Sequence, residues 1–418
     1  MTTLAITGGT VLNTRARTTE HADLLMVDGR VVAGGGVDGG VDGGGAGRGP
    51  ALSRLDAGGL LVAPGLVDLQ VNGAFGVDIT AHPERIGEVS RALLRHGVTG
   101  YLPTVITGPP DRSRRALAAL GGPAGDGARP LGLHLEGPMI AATHRGAHPE
   151  EYLRAPSLAL VEGWSAASGV RVVTIAPELP GAIEVITELT ARGVVVSVGH
   201  TAASLGQVEA AVSAGARAVT HLFNAMPPLR HRDPGPVGAA LGRTDLVAGL
   251  IVDGLHVHPT VVAAAWRALG QRLLLVSDTT AALDLPPGRT WLGTREVVVE
   301  AGAVRLASDP EVLAGSAVGL DDCVRLLVTF TGCEPVEAVA AATLTPALLL
   351  GLTDRGHLSP GARADAVLFD GDLSVVATVV GGRLAYCRRG AESRLTPDTA
   401  GTLDAPDTPG TAGIPKEY

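Results

Sequence analysis

Several short apolar runs in this chain end on, or are followed at once by, side chains that bind metals or move protons. Leu131-Gly132-Leu133-His134-Leu135-Glu136 ends on a carboxylate and is broken by Gly137-Pro138. The run 194–199 is followed by His200, 218–221 ends in His221, 248–253 leads into Asp253-Gly254-Leu255-His256, and 273–278 ends in Asp278. A carboxylate at the tip of a buried strand is costly without a partner, and for Glu136 alone a salt bridge, a hydrogen-bonded cap and a metal ion all serve. A single histidine such as His200 is more often a hydrogen-bonded structural residue than a ligand. Taken together the groups are hard to explain as independent events. One Glu and two His form a common catalytic ligand set that leaves a position open for water. A cation held there lowers the pKa of water and polarises a carbonyl. A separate carboxylate, Asp278, then takes the water's proton and returns it to a leaving amine. His256 hydrogen-bonds the carbonyl oxygen as negative charge develops on it.

Such groups converge only if their runs are parallel strands of one closed sheet. Eight short apolar runs recur, at 61–70, 98–104, 131–136, 170–176, 194–199, 218–221, 248–253 and 273–278. Helix-like segments lie between most of them, at 83–96, 112–120, 181–192, 202–214 and 259–269. That alternation predicts an α/β fold, a (β/α)8 barrel with its active site at the C-terminal strand ends. Residues 335–343 then read as a closing helix opened by a proline, and Pro346 as the start of a second short piece. Residues 3–33 read as short strands with a hairpin turn at Asp28-Gly29, and 364–386 repeat the pattern with turns at Asp370-Gly371 and Gly381-Gly382. The two ends together predict a small β-sandwich domain from 1–62 plus 353–390, beside a catalytic barrel at 63–352. The stretch 34–50 is nearly all Gly with Val, Asp, Ala and Arg and reads as a flexible surface loop, and 391–418 as a disordered tail.

Bulk composition fits that architecture. Of 418 residues, 45% are apolar and only 3% aromatic, with 58 Gly and 28 Pro, so the core is built from Ala, Val and Leu between many turns. A net charge of −9 argues against nucleic-acid or anionic-membrane partners. The three cysteines, Cys323, Cys333 and Cys387, are scattered without a Cys-x-x-Cys, which supports neither a disulfide framework nor a thiolate metal site. No basic-then-apolar leader and no apolar run of about 20 residues is present, so a cytoplasmic protein is expected. His134 faces the same side as Glu136 one layer deeper and reads as structural. His258 and His231 read as loop residues, and His82, His96 and His357 as surface ones.

These residues resemble the N-acetylglucosamine-6-phosphate deacetylases of the amidohydrolase superfamily. The likeness runs from about Ala63 to Ala366 and rests on Ala63-Pro64-Gly65-Leu66-Val67-Asp68, His134-Leu135-Glu136-Gly137-Pro138, Val198-Gly199-His200-Thr201, Thr220-His221-Leu222-Phe223-Asn224-Ala225-Met226-Pro227, Asp253-Gly254-Leu255-His256 and Leu313-Ala314-Gly315-Ser316. The resemblance implies Glu136, His200 and His221 as metal ligands and Asp278 as the proton-shuttling carboxylate. It implies substrate contacts from Ala147, His148, Asn224, Ala225, Asp253, His256, Leu313, Ala314 and Gly315. Arg232 matches a position that binds the sugar phosphate across a dimer interface; read alone it is a solvated charge whose guanidinium suits phosphate. The resemblance thus implies a homodimer with an amino-sugar phosphate as substrate.

Many members of the superfamily carry His-x-His after the first strand and bind a second metal through it. Here the spacing holds Gln70-Val71-Asn72, and neither amide is a good transition-metal ligand. One divalent metal ion per subunit is expected (zinc, iron or cobalt), with the two amides also readable as strand-end caps. Met139 stands where relatives often have an aromatic, which bears on the acyl pocket. The leading expectation is hydrolysis of N-acetyl-D-glucosamine 6-phosphate to the free amine and acetate. The alternatives are the N-acetylgalactosamine epimer, another amidohydrolase, and an inactive barrel scaffold. A cyclic-amide hydrolase with a bridging carboxylated lysine is disfavoured, since the one lysine is Lys416 in the tail. A scaffold would have lost one of Glu136, His200, His221 or Asp278, and none is missing.

Overall fold

The computed structural model of the chain describes residues 3–33, 52–120 and 126–394. The loop expected at 34–50 lies outside the described residues, as does the tail from 395 onward. Residues 391–394, assigned to that tail, carry a 3-10 turn at Glu392–Arg394.

Eight parallel strands form the barrel, named here β1 (Leu66–Val71), β2 (Val98–Ile106), β3 (Leu133–Glu136), β4 (Val170–Ile175), β5 (Val195–Val198), β6 (Ala218–Val219), β7 (Val247–Leu250) and β8 (Leu273–Leu275). Each pairs with the next in order. Between β8 and β1 the ladder thins to a bridge from Val71 to Thr279, backed by Asn72 N–H donating to Thr279 O at 2.7 Å. The barrel is nearly closed. Val67, Leu69, Leu102, Val172, Leu274 and Val276 share one buried cluster although they come from β1, β2, β4 and the β8 end. Residues of strands that far apart meet only across the inside of the ring, so this cluster is the barrel interior.

The helices follow their local signals. Ser204 caps Leu205–Ser213 in a capping box with Gln207, and Pro259 opens Pro259–Leu269 behind the His258 cap. Arg112–Leu120 and Ala182–Ala191 lie where periodicity puts them. Helices at Gly235–Gly242 and Leu320–Thr331 also pack on the barrel.

Strands from both chain ends form one eight-stranded sheet, in the order 383–387, 375–380, 366–369, 61–64, 3–13, 18–27, 30–32, with 52–56 also on 3–13. It has its own buried cluster, including Ile6, Met26, Leu55, Val62, Leu368 and Val376. Asp28 and Gly29 both have positive φ, as do Gly381 and Gly382, which the tight hairpin turns at those places require.

Three expectations need correction. The run 61–70 is two strands: Leu61–Pro64 joins the terminal sheet and Leu66–Val71 the barrel. The chain turns between them at Gly65, where a Cβ would lie 2.2 Å from the Thr99 side chain. Second, residues 288–316 form a four-stranded antiparallel sheet that the sequence reading did not anticipate. Third, His96 and His357 are buried. His96 Nδ1 donates to Asp321 at 2.8 Å and Nε2 to Asp284 at 3.0 Å, and His357 Nε2 donates to Thr353 O at 3.0 Å. His82 and His231 are exposed.

Candidate metal centre and active site

Glu136 is the last residue of β3, and His200, His221 and Asp278 follow β5, β6 and β8 by two or three residues. All four side chains are buried. His200, His221 and Asp278 hold positive φ of 47°, 28° and 51°. An L residue adopts that backbone only where its surroundings over-determine it. Part of the constraint is visible at Gly199, where a Cβ would lie 2.7 Å from Thr220. Beyond His200, Glu178 accepts from the Thr201 hydroxyl and the Ala202 N–H, which ties the β4 and β5 ends together.

The geometry of the donor atoms is tight. His200 Nε2 and His221 Nε2 lie 3.2 and 3.1 Å from Glu136 Oε1, and 3.1 Å from each other. Tetrahedral ligands at 2.0–2.1 Å from a zinc ion are about 3.4 Å apart, so this triangle is close to one face of such a shell. His200 Nδ1 donates to His144 O at 2.9 Å, which aims the Nε2 lone pair inward. His221 Nδ1 is buried without a partner, and two imidazole Nε2 atoms and a carboxylate oxygen converging on one point fit a divalent cation.

His148 also reaches this cluster: Glu136, His148 and His200 have donor atoms within 4.8 Å of one another. His148 Nε2 is 3.8 Å from Glu136 Oε2, however, so the tighter His221 triangle is the better ligand set. Burial and then the His200 charge push His148 down to about 3, so the ring is neutral. Its Nδ1 lies 3.4 Å from the Thr107 N–H, which can only donate, so the ring hydrogen is on Nε2 and faces the site.

The two amides are neither ligands nor idle caps. Gln70 Nε2 donates to Glu136 Oε1 at 3.0 Å, and Asn72 Nδ2 to Asp278 Oδ1 at 2.7 Å. Below them the buried Asp68 accepts from the Ser277 hydroxyl and the N–H groups of Ser277 and Gln70, joining the β1 and β8 ends. Burial pushes Asp68 up to about 6 against those bonds. His134 is a core residue, bonded to Leu69 O and Thr174 Oγ1.

Burial is the largest influence on both site carboxylates. It opposes the charge on Glu136, yet the two imidazoles hold that group well below its usual range. Burial and the neighbouring Glu136 charge raise Asp278. Asp253 accepts from His256 Nδ1 at 2.6 Å and from the N–H groups of Leu255 and His256, a self-contained turn that orients the ring.

A cavity of about 280 Å³ opens over these groups. Ala147, His148, Asn224, Ala225, His256, Leu313 and Gly315 line it as expected. Asp253 lies behind His256 and Ala314 is buried outside the lining; neither reaches the cavity wall. Arg232 is exposed and does not line the cavity. Met139 is fully buried in the core and does not reach it either. Sequence reasoning missed Ile106, Leu292, Glu311 and Val312 as wall residues. The last three belong to the four-stranded insertion, which folds over the barrel mouth. Its hold is close: Gly315 has φ of +63°, and a Cβ there would be 2.8 Å from Asp278 O. Short strands separated by Gly293-Thr294 and Ala301-Gly302 were the available signal for it.

Comparison with known proteins fits this site. The amidohydrolase family pattern matches residues 61–385. Human N-acetylglucosamine-6-phosphate deacetylase is 44% identical over 80% of this chain and 85% of its own length. The N-acetylgalactosamine-6-phosphate deacetylase of Escherichia coli O157:H7 is 38% identical over 78% of this chain and 88% of its own. Among solved structures, a variant of the Mycobacterium smegmatis N-acetyl-D-glucosamine-6-phosphate deacetylase, in complex with N-acetyl-D-glucosamine-6-phosphate, superposes with a TM-score of 0.81 at 32% identity, covering 92% of this chain and all of that one. With a nearly closed barrel, a Glu-His-His triangle and these relatives, the chain belongs to the amidohydrolase family, among the N-acetylglucosamine-6-phosphate deacetylases.

Proposed function

We propose that this enzyme hydrolyses N-acetyl-D-glucosamine 6-phosphate to D-glucosamine 6-phosphate and acetate. The observation that carries the reading is the Glu136–His200–His221 triangle facing the buried Asp278 in one cavity. A divalent ion held by the triangle (zinc, with iron and cobalt also suited to these ligands) supplies the positive charge that polarises a carbonyl and acidifies water. The chain's own groups do the rest. Asp278 takes a proton from the attacking water and delivers it to the departing nitrogen. Its raised proton affinity, from burial and from Glu136, suits a group that must carry a proton between two steps. Asp253 holds the His256 ring at Nδ1, which leaves Nε2 turned to the cavity to meet the carbonyl oxygen as charge develops on it. The neutral His148 presents a further N–H to the cavity beside Glu136. Ala147, Asn224, Ala225, Leu313 and Gly315 shape the sugar site.

With Gln70 and Asn72 bonded to the site's carboxylates, the reading is of one metal per subunit. Arg232, exposed on its own chain, is assigned to the phosphate of a substrate held by the partner in a homodimer. The enzyme is placed in the cytoplasm, where a sugar-phosphate substrate and three unpaired thiols both belong. The galactosamine epimer is the second reading, favoured by the 38% identical Escherichia coli relative. Acetate release from both epimers, each with and without the 6-phosphate, tests the assignment. The expected order places the phosphorylated glucosamine derivative first. Equal rates on the unphosphorylated sugar would overturn the phosphate role, and a preference for the other epimer would exchange the two readings.

A further inference from the structure

Asn72 is held at both ends of its backbone. Its N–H donates to Thr279 O at 2.7 Å and its carbonyl accepts from Ile79 N at 2.9 Å, so the residue is fixed between the first and last strand ends of the barrel. The side chain is 2% exposed and lines the cavity. Nδ2 donates to Asp278 Oδ1 at 2.7 Å. The reverse orientation would set two oxygens against each other, so an ionised Asp278 dictates which end of the amide faces it. The other end, Oδ1, is buried and accepts no hydrogen bond from any described residue. A buried carbonyl oxygen without a donor is unfavourable and calls for an explanation. Its position supplies one, since it sits beside the carboxylate that must reach the scissile nitrogen.

We propose that Asn72 is a catalytic residue of this site: Nδ2 anchors Asp278 Oδ1, leaving Oδ2 to carry the proton, and Oδ1 accepts the N–H of the acetamido group being cleaved. The inference rests on the deacetylase reading above. Water adds to the acetyl carbon, forming the new C–O bond, and its proton passes to Asp278 Oδ2. When the C–N bond breaks, its electron pair stays on nitrogen and Asp278 returns the proton there, giving acetate and an amine. The nitrogen carries one hydrogen in the substrate and gains another in this step. An acceptor fixed at Asn72 Oδ1 therefore binds the breaking amide more strongly than the intact one, and only such differential contact accelerates the reaction. Gln70, two residues earlier and so on the same face, makes the matching bond to Glu136, so the two amides at the end of the first strand divide the site's two carboxylates between them.

The test compares two substrates that share a carbonyl and differ at one atom: the 2-acetamido sugar 6-phosphate and its 2-acetoxy ester, which has no N–H. Asn72→Leu and Asn72→Ala are each measured on both, with metal content and thermal midpoint recorded for each variant. The expected result is a loss of kcat/KM on the order of 100-fold on the amide, with a loss at least tenfold smaller on the ester and unchanged metal content. A merely structural residue would depress both substrates alike. Equal losses on amide and ester in whichever variant folds, or no loss at all, would overturn the role of Asn72. A wild-type enzyme that releases acetate from neither substrate would instead remove the deacetylase reading, and this inference with it.

Discussion

Among the described residues, two of the buried groupings of histidine and carboxylate have opposite stoichiometry. At the barrel mouth two imidazoles share one carboxylate oxygen, with Nε2 atoms 3.1 Å apart. Around His96 one imidazole is shared by two carboxylates, Asp321 at 2.8 Å and Asp284 at 3.0 Å. In the second cluster every ring hydrogen has an acceptor: burial opposes the charge, but the two aspartates raise His96 to about 10, so the cluster closes as an ion network. In the first, two ring nitrogens and a carboxylate oxygen crowd to within 3.2 Å of one another on the floor of a cavity, an arrangement that a divalent cation would suit. Composition alone does not separate the two. The ratio of imidazole to carboxylate and the cavity above the first cluster do, and they distinguish a candidate cation site from a closed ion network.

The comparison is broken most sharply by Asp278→Asn. Asp278 borders the cation-seeking cluster but is not part of its triangle, so the variant should keep its metal and lose about 10²- to 10⁴-fold in turnover. Undiminished turnover, measured as acetate release, would remove Asp278 from proton transfer. The opposite pattern is expected at His96. Replacing it with Ala strands two carboxylates and should destabilise the fold by about 3–5 kcal/mol, with metal content and KM unchanged.

The same cluster has a definite pH signature. His96 is raised from 6.5 to about 10, so its stabilisation is complete below pH 6.5 and is lost as pH rises toward 10. Urea midpoints of the wild type should fall across that window, and those of His96→Gln should fall less. A parallel pair of curves would contradict the ion network. The smallest effect is expected at Gln70→Ala, which removes the amide donor on Glu136 and should weaken metal affinity about 10- to 100-fold. Unchanged affinity in a competition with a chelator would reduce Gln70 to a strand cap.

Much of the first cluster was readable along the chain because barrel geometry turns strand ends into neighbours. Once 131–136, 194–199, 218–221 and 273–278 read as parallel strands, Glu136, His200, His221 and Asp278 had to meet at one rim. The second cluster had no such rule behind it. His96 finds its partners 225 and 188 residues away on segments with no repeating relation to it, and beside Arg95 it looked like an ordinary surface residue. The amides divide in the same way. Their chemistry excluded Gln70 and Asn72 as ligands, but the carboxylate each one holds is 66 or 206 residues distant. The insertion at 288–316 escaped because its strands lie half exposed on the barrel mouth, without the continuous apolar runs of a buried parallel strand. The break at Gly65 escaped because the strands on either side are equally apolar, and only the proximity of Thr99 separates them.

The central claim is that the Glu136–His200–His221 triangle holds one catalytic divalent ion. Metal quantification on the purified chain, paired with acetate release while a chelated sample is titrated with zinc, tests it most directly. The wild type should carry one ion per chain and regain full activity at one equivalent, whereas His200→Ala should carry none and stay inactive. Full activity in the chelated wild type, or a saturation at two equivalents, would contradict the account.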